Sequence, residues 1–164
     1  MTILACTSVD QDGWLRLRQA LWPDCPAHEH LAEMRAFLRA PEKYAQFLAY
    51  GEDGEAAGFA EAALRTDYVN GTESSPVAFL EGLYILPEYR RQGWGRALVD
   101  AVTAWARSSR CSELASDALL DNEASHRMHR ALGFEETERV VFFRKALATP
   151  CIQGLCGSMP GPDV

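Results

Sequence analysis

The sequence predicts an α/β fold in which a single domain forms a mixed β-sheet flanked by helices on both faces. Three observations lead to this prediction. The length of 164 residues suits one domain, an almost continuous apolar run covers 77–86, and an amphipathic helical pattern at 93–108 follows it. A further apolar segment at 112–118 completes a strand–helix–strand unit whose two strands should be parallel. The run at 77–86 is expected to be a central strand that is buried on both faces.

Two helices and a hairpin are expected before this unit. Asp10 or Asp12 can cap the first helix, which should end at Pro23. The second helix has apolar residues at helical spacing, and two strands then flank the turn Gly51-Glu52-Asp53-Gly54. These elements are the second helix at 27–39 and the strands at 46–50 and 57–64.

The chain after the unit is predicted to form one more helix and one more strand. The helix covers 122–132 and ends at Gly133, because glycine readily adopts the left-handed conformation found there. Branched and aromatic residues at 137–146 predict a last strand. Residues 148–164 contain three prolines and three glycines without periodicity. We therefore expect the domain to cover 1–147 and the remainder to be a flexible C-terminal tail.

Composition limits the class of partner. The formal net charge of −7 argues against nucleic acid, because binding phosphates needs clustered cations. The same charge suits a cationic substrate, although solubility alone also explains it. No apolar run approaches the length of a membrane span, and the chain start lacks the basic flank of a signal peptide. With five irregularly spaced cysteines, this indicates a cytoplasmic protein with reduced thiols and no membrane partner.

A glycine-containing turn connects the strand at 77–86 to the helix at 93–108. It reads Leu86-Pro87-Glu88-Tyr89-Arg90-Arg91-Gln92-Gly93-Trp94-Gly95-Arg96. Glycines let the backbone approach a ligand closely, and the free N–H groups at a helix start attract negative charge. The arginines of the turn add cationic donors. The turn therefore predicts a site for a diphosphate-bearing cofactor, and the alternative is a solvated basic face.

Two motifs resemble those of the GCN5-related N-acetyltransferase (GNAT) superfamily. Arg90-Arg91-Gln92-Gly93-Trp94-Gly95 fits its acyl-coenzyme A signature, and Asn122 followed by Leu132-Gly133-Phe134 resembles its second motif. Four longer segments are similar to the aminoglycoside 6′-N-acetyltransferases of that superfamily, and the similarity extends over 14–147. Those segments are 67–76, 79–82, 113–117 and 133–141.

The resemblance implies a sheet that splays at its centre, with Gly82 as a site for a bulge. It implies acetyl-CoA as cosubstrate and the 6′-amine of an aminoglycoside antibiotic as acceptor, with direct transfer in a ternary complex that confers resistance. It also implies a homodimer, for which 137–146 could provide an interface. Two alternatives stay open. One is an acetyltransferase for another amine, such as a polyamine or a protein N-terminus, and the other is a non-catalytic binder of acyl-CoA or of the drug.

The resemblance also assigns residues to the cofactor. The backbone near Leu83, Tyr84 and Ile85 is expected to pair with the peptide-like pantetheine arm in the manner of an added strand. Asn122 begins the helix that lies beside this arm. The residues expected to hold the diphosphate are Arg90, Arg91, Gln92, Gly93, Trp94, Gly95 and Arg96.

Two carboxylates are candidates for the chemistry. Glu81 lies inside an apolar strand, on the same face as Phe79 and Leu83, and a buried carboxylate needs a partner or a ligand. Asp117 ends a strand, where ligands gather in open α/β sheets, and the resemblance places the substrate amine there. Glu81 could hold the substrate ammonium, directly or through water. Asp117 could take its proton, or orient the ammonium so that water does, because an amine must be deprotonated to attack a thioester. The alternatives are an ion pair with an arginine for Glu81 and a turn or cap for Asp117.

His129 stands where many superfamily members have a tyrosine near the thioester sulfur. It is a candidate donor to the departing thiolate, and an ordinary helix histidine is the alternative. A metal site is not expected, because Glu123, His126 and His129 diverge around a helix.

Four further residues complete the acceptor site that the resemblance implies. An aromatic ring packs against a sugar, and carboxylates suit several ammonium groups. Ordinary core or surface positions are the alternative for each. The four residues are Trp22, Asp24, Tyr68 and Glu136.

Overall fold

A computed structural model describes residues 1–146 of the 164. The described strands are β1 (Thr2–Ala5), β2 (Tyr44–Tyr50), β3 (Ala56–Arg65), β4 (Val77–Ile85) and β5 (Leu114–Ser116). The described helices are α1 (Trp14–Leu21), α2 (Ala27–Arg39), α3 (Trp94–Ser108) and α4 (Glu123–Leu132), and a short 3₁₀ turn covers Pro87–Tyr89.

The strands form one mixed sheet in chain order, β1-β2-β3-β4-β5. Neighbouring strands are antiparallel except β4 and β5, which are parallel, as expected for strands joined by a helix. The predicted single-domain α/β fold is therefore confirmed. The prediction that 77–86 is the central strand is wrong for the described sheet, because β3 lies in the middle and β4 beside it.

Helices cover both faces of the sheet. Alternation along β3 directs Ala60 and Ala62 toward α3, where they pack with Leu98. Phe59 points to the opposite face and packs with Trp14 of α1 and with α2. The sheet is thus buried on both sides over β3 and most of β4. None of the described helices is long and apolar enough to cross a membrane.

The two predicted helix termini have different outcomes. The predicted end of α4 at Gly133 is confirmed, since Gly133 follows the helix at φ +94°, and the structure adds a cap in which the Asn122 side chain accepts the Ser125 N–H. The expected Asp10 or Asp12 cap of α1 is wrong, because Gly13 occupies the capping position at φ +84°. A Cβ on Gly13 would lie 2.2 Å from that of Ala56, so the close approach of α1 to β3 requires glycine.

The predicted last strand at 137–146 is also wrong. Residues 135–146 form neither a helix nor a strand in the part of the chain that is described. The segment has strand-forming residues, but a strand also needs a hydrogen-bonding partner, and β5 offers only three residues. Its apolar side chains are consequently exposed, with Phe142 85% and Phe143 94% accessible. The predicted tail at 148–164 lies outside the described residues.

Candidate active site

The strands β4 and β5 splay apart where a ligand could enter. Their parallel pairing covers only Ala78–Leu80 and Leu114–Ser116, and the last pair is Leu80 with Ser116. β4 continues to Ile85 while paired with β3 alone among the described strands. The edge of β4 beyond Leu80 can therefore accept an extended, peptide-like group as an added strand. This geometry fits the role predicted for the backbone of Leu83, Tyr84 and Ile85.

The turn that follows β4 presents the start of α3 to solvent. Arg91 and Gly93 both have positive φ, at 61° and 88°, and Gly93 precedes the helix. Ala97 donates the first backbone hydrogen bond of the helix to the Gly93 carbonyl. The N–H groups of Trp94, Gly95 and Arg96 precede this bond and have no partner within the helix, so they suit an anionic group such as a diphosphate.

The side chains of this turn are partly engaged with the protein itself. Arg90 Nε donates to the Ile85 carbonyl at 2.9 Å, and Gln92 Nε2 donates to the Glu88 carbonyl at 2.8 Å. Arg96 donates to the Ala131 carbonyl near the end of α4. Trp94 is buried against Tyr89, with ring centroids 5.1 Å apart. These contacts hold the turn in place, so its backbone is the part best suited to a diphosphate.

Replacement of Gly93 by alanine tests this backbone role. A side chain at φ +88° is strained, so we expect the free energy of unfolding to fall by about 1–2 kcal/mol. Gly54→Ala is the matched control, because Gly54 has φ +82°, and a Cβ at either glycine would meet nothing within 4 Å. Both variants should lose similar stability in urea titrations, and only Gly93→Ala should raise the KM for acetyl-CoA. An unchanged KM would contradict a role of this turn in cofactor binding.

His129 lies directly behind the splay point. Its Nε2 is 3.0 Å from the Ser116 hydroxyl, which is 3.2 Å from the Leu80 carbonyl. Its Nδ1 is 2.8 Å from the Ser125 carbonyl, and the ring packs edge-on against Phe134. The structure thus connects His129 through Ser116 to the last paired residues of the two strands. Asn122 is engaged in the cap of α4 through its side-chain oxygen.

A β-bulge on β4 determines where Glu81 points. Glu61 pairs with Gly82 and Ala62 pairs with Leu80, so Glu81 is an extra residue on β4. The predicted bulge at Gly82 is therefore present. It reverses the alternation, so that Leu83 packs toward α3 although Phe79 does not, and the expectation that Glu81 shares one face with both is wrong.

Glu81 is half-exposed, which corrects the expectation that it is buried. Its carboxylate accepts two hydrogen bonds from Arg65 Nη2, at 2.9 and 3.0 Å, and a third from Arg65 Nε at 3.3 Å. The side chains of Arg65 and Glu81 are 37% and 38% exposed. Glu81 therefore forms an ion pair with an arginine, which was the alternative to a ligand-binding role.

Asp117 is the first residue after β5 and is exposed. Its carboxylate has neither a hydrogen bond nor an ion pair within residues 1–146. Because Leu80 pairs with Ser116, Glu81 and Asp117 are the first residues beyond the splay point on two neighbouring strands. The two predicted carboxylates therefore flank the opening between the strands.

A cavity of about 510 Å³ opens on the face of the sheet that carries α1 and α2. Trp22 and Glu81 line it, and the Trp22 indole packs so closely on Gly82 that a Cβ there would lie 2.6 Å from the ring. The other lining residues are Arg18, Cys25, His30, Glu33, Phe37, Tyr44, Gln46, Glu61 and Ala62. The lining includes three carboxylates, those of Glu33, Glu61 and Glu81, so the cavity is suited to a cationic ligand.

The remaining predicted acceptor residues lie outside this cavity. Asp24 is exposed, and Tyr68 is exposed in the loop between β3 and β4. Glu136 forms an ion pair with Arg139, which lowers the pKa of its carboxyl. The structure does bring the segments of Tyr68 and Glu136 together, because a Cβ on Gly71 would lie 2.1 Å from the Thr137 hydroxyl.

A buried ionic cluster beneath Trp22 was not predicted from the sequence. Arg18 forms ion pairs with Glu61 and Glu33, and Trp14 Nε1 donates to Glu61 at 2.7 Å. Burial raises the pKa of the Glu61 carboxyl, and Arg18 opposes this shift. The sequence does contain a signal for this cluster, because Glu61 is a carboxylate inside an apolar strand, as Glu81 is. No cluster of three or more metal-binding side chains occurs among residues 1–146.

The splayed parallel strands, the free N–H groups at the start of α3 and the acidic cavity are together suited to an acyl-coenzyme A-dependent transferase with a cationic acceptor. The family described as the acetyltransferase (GNAT) family matches residues 14–134. The chain therefore belongs to the GNAT acetyltransferase family.

Its relatives within the family are aminoglycoside acetyltransferases. The chain is 55% identical over 145 residues to aminoglycoside N(6′)-acetyltransferase type 1 of Serratia marcescens, covering 88% of this chain and 99% of that protein. It is 53% identical over 146 residues to the enzyme of the same name from Stenotrophomonas maltophilia, covering 89% and 94%.

Solved structures of such enzymes share the fold. AAC(6′)-Iy, in complex with the bisubstrate analogue CoA-S-monomethyl-acetylneamine, is 44% identical with a TM-score of 0.84, covering 89% of this chain and 98% of that chain. Aminoglycoside antibiotic 6′-N-acetyltransferase AAC(6′)-Ih from Acinetobacter baumannii is 50% identical with a TM-score of 0.84, covering 90% and 99%. The predicted family and the splayed fold are thus confirmed.

Proposed function

We propose that this protein transfers the acetyl group of acetyl-CoA to the 6′-amine of aminoglycoside antibiotics by direct attack in a ternary complex, and so confers resistance. The observation that carries the proposal is the position of Glu81 and Asp117. The register puts both directly beyond the last paired residues of β4 and β5, beside the edge suited to the cofactor, and Glu81 also lines the cavity suited to a cation. The relatives named above bear this activity in their names.

The cofactor supplies an acetyl group activated as a thioester. The chain contributes the backbone of Leu83, Tyr84 and Ile85 for the pantetheine arm and the N–H groups at the start of α3 for the diphosphate. Asn122 begins α4, which we propose lies beside the arm. His129 is proposed to donate a proton toward the thiolate that departs, and Ser116 lies between it and the splay.

The two carboxylates are proposed to act on the acceptor amine. Glu81 holds the ammonium, and Asp117 takes its proton so that the neutral amine can attack. Asp117 is better suited to the second role because its carboxylate is free of protein partners within residues 1–146, whereas Glu81 is paired with Arg65. Trp22 is proposed to stack on a sugar ring, with Asp24, Tyr68 and Glu136 contacting more distant amines.

Acetylation assays test the proposed activity. Kanamycin or tobramycin, which carry a 6′-amine, should be acetylated at that position in the presence of acetyl-CoA. Spermidine tests the alternative polyamine substrate, and an aminoglycoside whose only change is a 6′-hydroxyl tests the site of transfer. If no 6′-amino aminoglycoside is turned over, the proposal fails. Binding of both ligands without product would identify the non-catalytic binder.

We also propose a homodimer. Val141, Phe142 and Phe143 are 78%, 85% and 94% exposed, and contiguous exposed apolar side chains are typical of an interface. Sedimentation should give the mass of a dimer, and replacing Phe142 and Phe143 by serine should shift the protein to a monomer. A monomer for the native protein at micromolar concentration would reject the dimer.

We also propose that the protein is cytoplasmic and binds neither nucleic acid nor membranes. Cys6, Cys25 and Cys111 are free thiols, which suits the reducing cytoplasm. The net charge of −7 argues against binding to nucleic acid or to anionic membranes. Recovery of the protein in the soluble cytoplasmic fraction, without retention on DNA or on anionic vesicles, would support these proposals.

A further inference from the structure

Arg65 forms an ion pair with Glu81, the carboxylate that is proposed to bind the substrate ammonium. Its guanidinium makes three contacts of 2.9 to 3.3 Å with Glu81. The guanidinium carbon also lies 3.6 Å from the centroid of the Phe79 ring, so the cation is held between an aromatic face and a carboxylate. We infer that Arg65 is an internal stand-in for the 6′-ammonium, which must displace it from Glu81 in order to bind. This inference rests on the proposed function.

Two cations can reach the Glu81 carboxylate because this residue lines two cavities. Glu81 lines the cavity of about 510 Å³ beside Trp22 and also a second cavity of about 280 Å³. Arg65 lines only the second cavity and reaches Glu81 from there. A substrate ammonium would reach the same carboxylate from the larger, more acidic cavity. The two cations therefore compete for Glu81 from two cavities that share Tyr44 and Glu81 as lining residues.

The ion pair is weak enough to be exchanged. Both side chains are more than a third exposed, and pairs of this kind contribute little because water competes for the charges. Arg65 also rests on Phe79, and Asp67, which lines the same small cavity, offers a displaced guanidinium a second carboxylate.

The Arg65→Gln variant tests the competition. Removing the internal cation should tighten the binding of a 6′-amino aminoglycoside by up to about fivefold, the upper end of what is expected when a half-exposed ion pair no longer has to be broken. Neomycin and paromomycin are suitable probes, because they differ only in an amine or a hydroxyl on the 6′ carbon. Calorimetry should show the gain for neomycin and little change for paromomycin. Arg65→Lys, which keeps a cation, should behave like the native protein.

Arg107→Gln is the control for overall charge. Arg107 is exposed in the last turn of α3, on the other face of the sheet, and its replacement removes the same charge. Equal or weaker neomycin binding by Arg65→Gln, or a gain shared with paromomycin or with Arg107→Gln, would overturn the inference. The proposed function is judged separately by whether the native protein acetylates neomycin, so failure of one proposal is distinguishable from failure of the other.

Discussion

Replacement of Arg18 by methionine is expected to lower the free energy of unfolding by about 3–5 kcal/mol. Arg18 and Glu61 are each only 2% exposed and form an ion pair with one another. Without Arg18 the Glu61 carboxylate would be buried with only the Trp14 N–H as a partner. An uncompensated buried charge is costly, and this cost is the main reason for the expected loss.

The Arg18 side chain also supports the wall of the larger cavity. Its guanidinium carbon lies 5.0 Å from the Trp22 ring centroid and 5.4 Å from that of Phe37. Its Nε is 3.3 Å from His30 Nδ1, and His30 Nε2 is 3.3 Å from the Trp22 carbonyl. Loss of Arg18 should therefore also raise the KM for the aminoglycoside more than that for acetyl-CoA.

Two further variants separate the ion pair from a general effect on α1. Arg16→Met removes an exposed partner of Glu55, 3.9 Å away, and should cost less than about 1 kcal/mol. The double variant Arg18→Met/Glu61→Gln should recover part of the loss, because it removes the orphaned charge. Denaturant unfolding measures all of these free energies. Similar losses for Arg16→Met and Arg18→Met would contradict the role of the buried pair.

The stability lost in Arg18→Met should become smaller as the pH falls. Burial raises the pKa of Glu61 in the native protein, and Arg18 is the largest opposing influence. Removing Arg18 therefore raises the folded-state pKa of Glu61 further. A carboxyl whose folded pKa exceeds its unfolded value destabilises the fold as pH rises through the folded pKa. The difference in the free energy of unfolding between the native protein and Arg18→Met should thus be larger at neutral pH than at acid pH.

Asp117→Asn is expected to reduce kcat/KM for a 6′-amino aminoglycoside by about 10²–10⁴-fold, the usual contribution of a general base. The variant keeps the shape of the side chain but cannot take the proton from the substrate ammonium. The KM for acetyl-CoA should change little, because the turn before α3 is unaltered. Steady-state kinetics with both substrates varied would measure these effects.

The pH dependence distinguishes a base from a positioning group. Aliphatic ammonium groups have pKa values of about 10, so the fraction of neutral amine rises with pH. If Asp117 acts as the base, the defect of Asp117→Asn should shrink at alkaline pH. Asp121→Asn is the matched control, since Asp121 is an exposed aspartate in the same loop. Activity of Asp117→Asn close to that of the native protein would favour Glu81 or water as the base.

The sequence by itself determined most of the elements. Helical spacing placed α2 at 27–39, and the structure has Ala27–Arg39. The apolar run at 77–86, the glycine turn and the helical pattern after it predicted a strand, a helix start and a parallel partner strand, and each is present. These features could be predicted because periodicity, glycine and helix termini act over a few neighbouring residues.

Only the tertiary structure decided which distant residues meet. The Gly13 cap depends on contact with Ala56, and the absence of a strand at 137–146 within the described chain depends on the lack of a neighbour to pair with. The partners Arg18 and Glu61 are 43 residues apart in the chain. Local periodicity specifies which face of an element is apolar, whereas ion pairs, bulges and cavities arise from how the elements pack. Glu81 and Asp117 could therefore be singled out from the sequence, whereas the particular arginine that pairs with Glu81 could not.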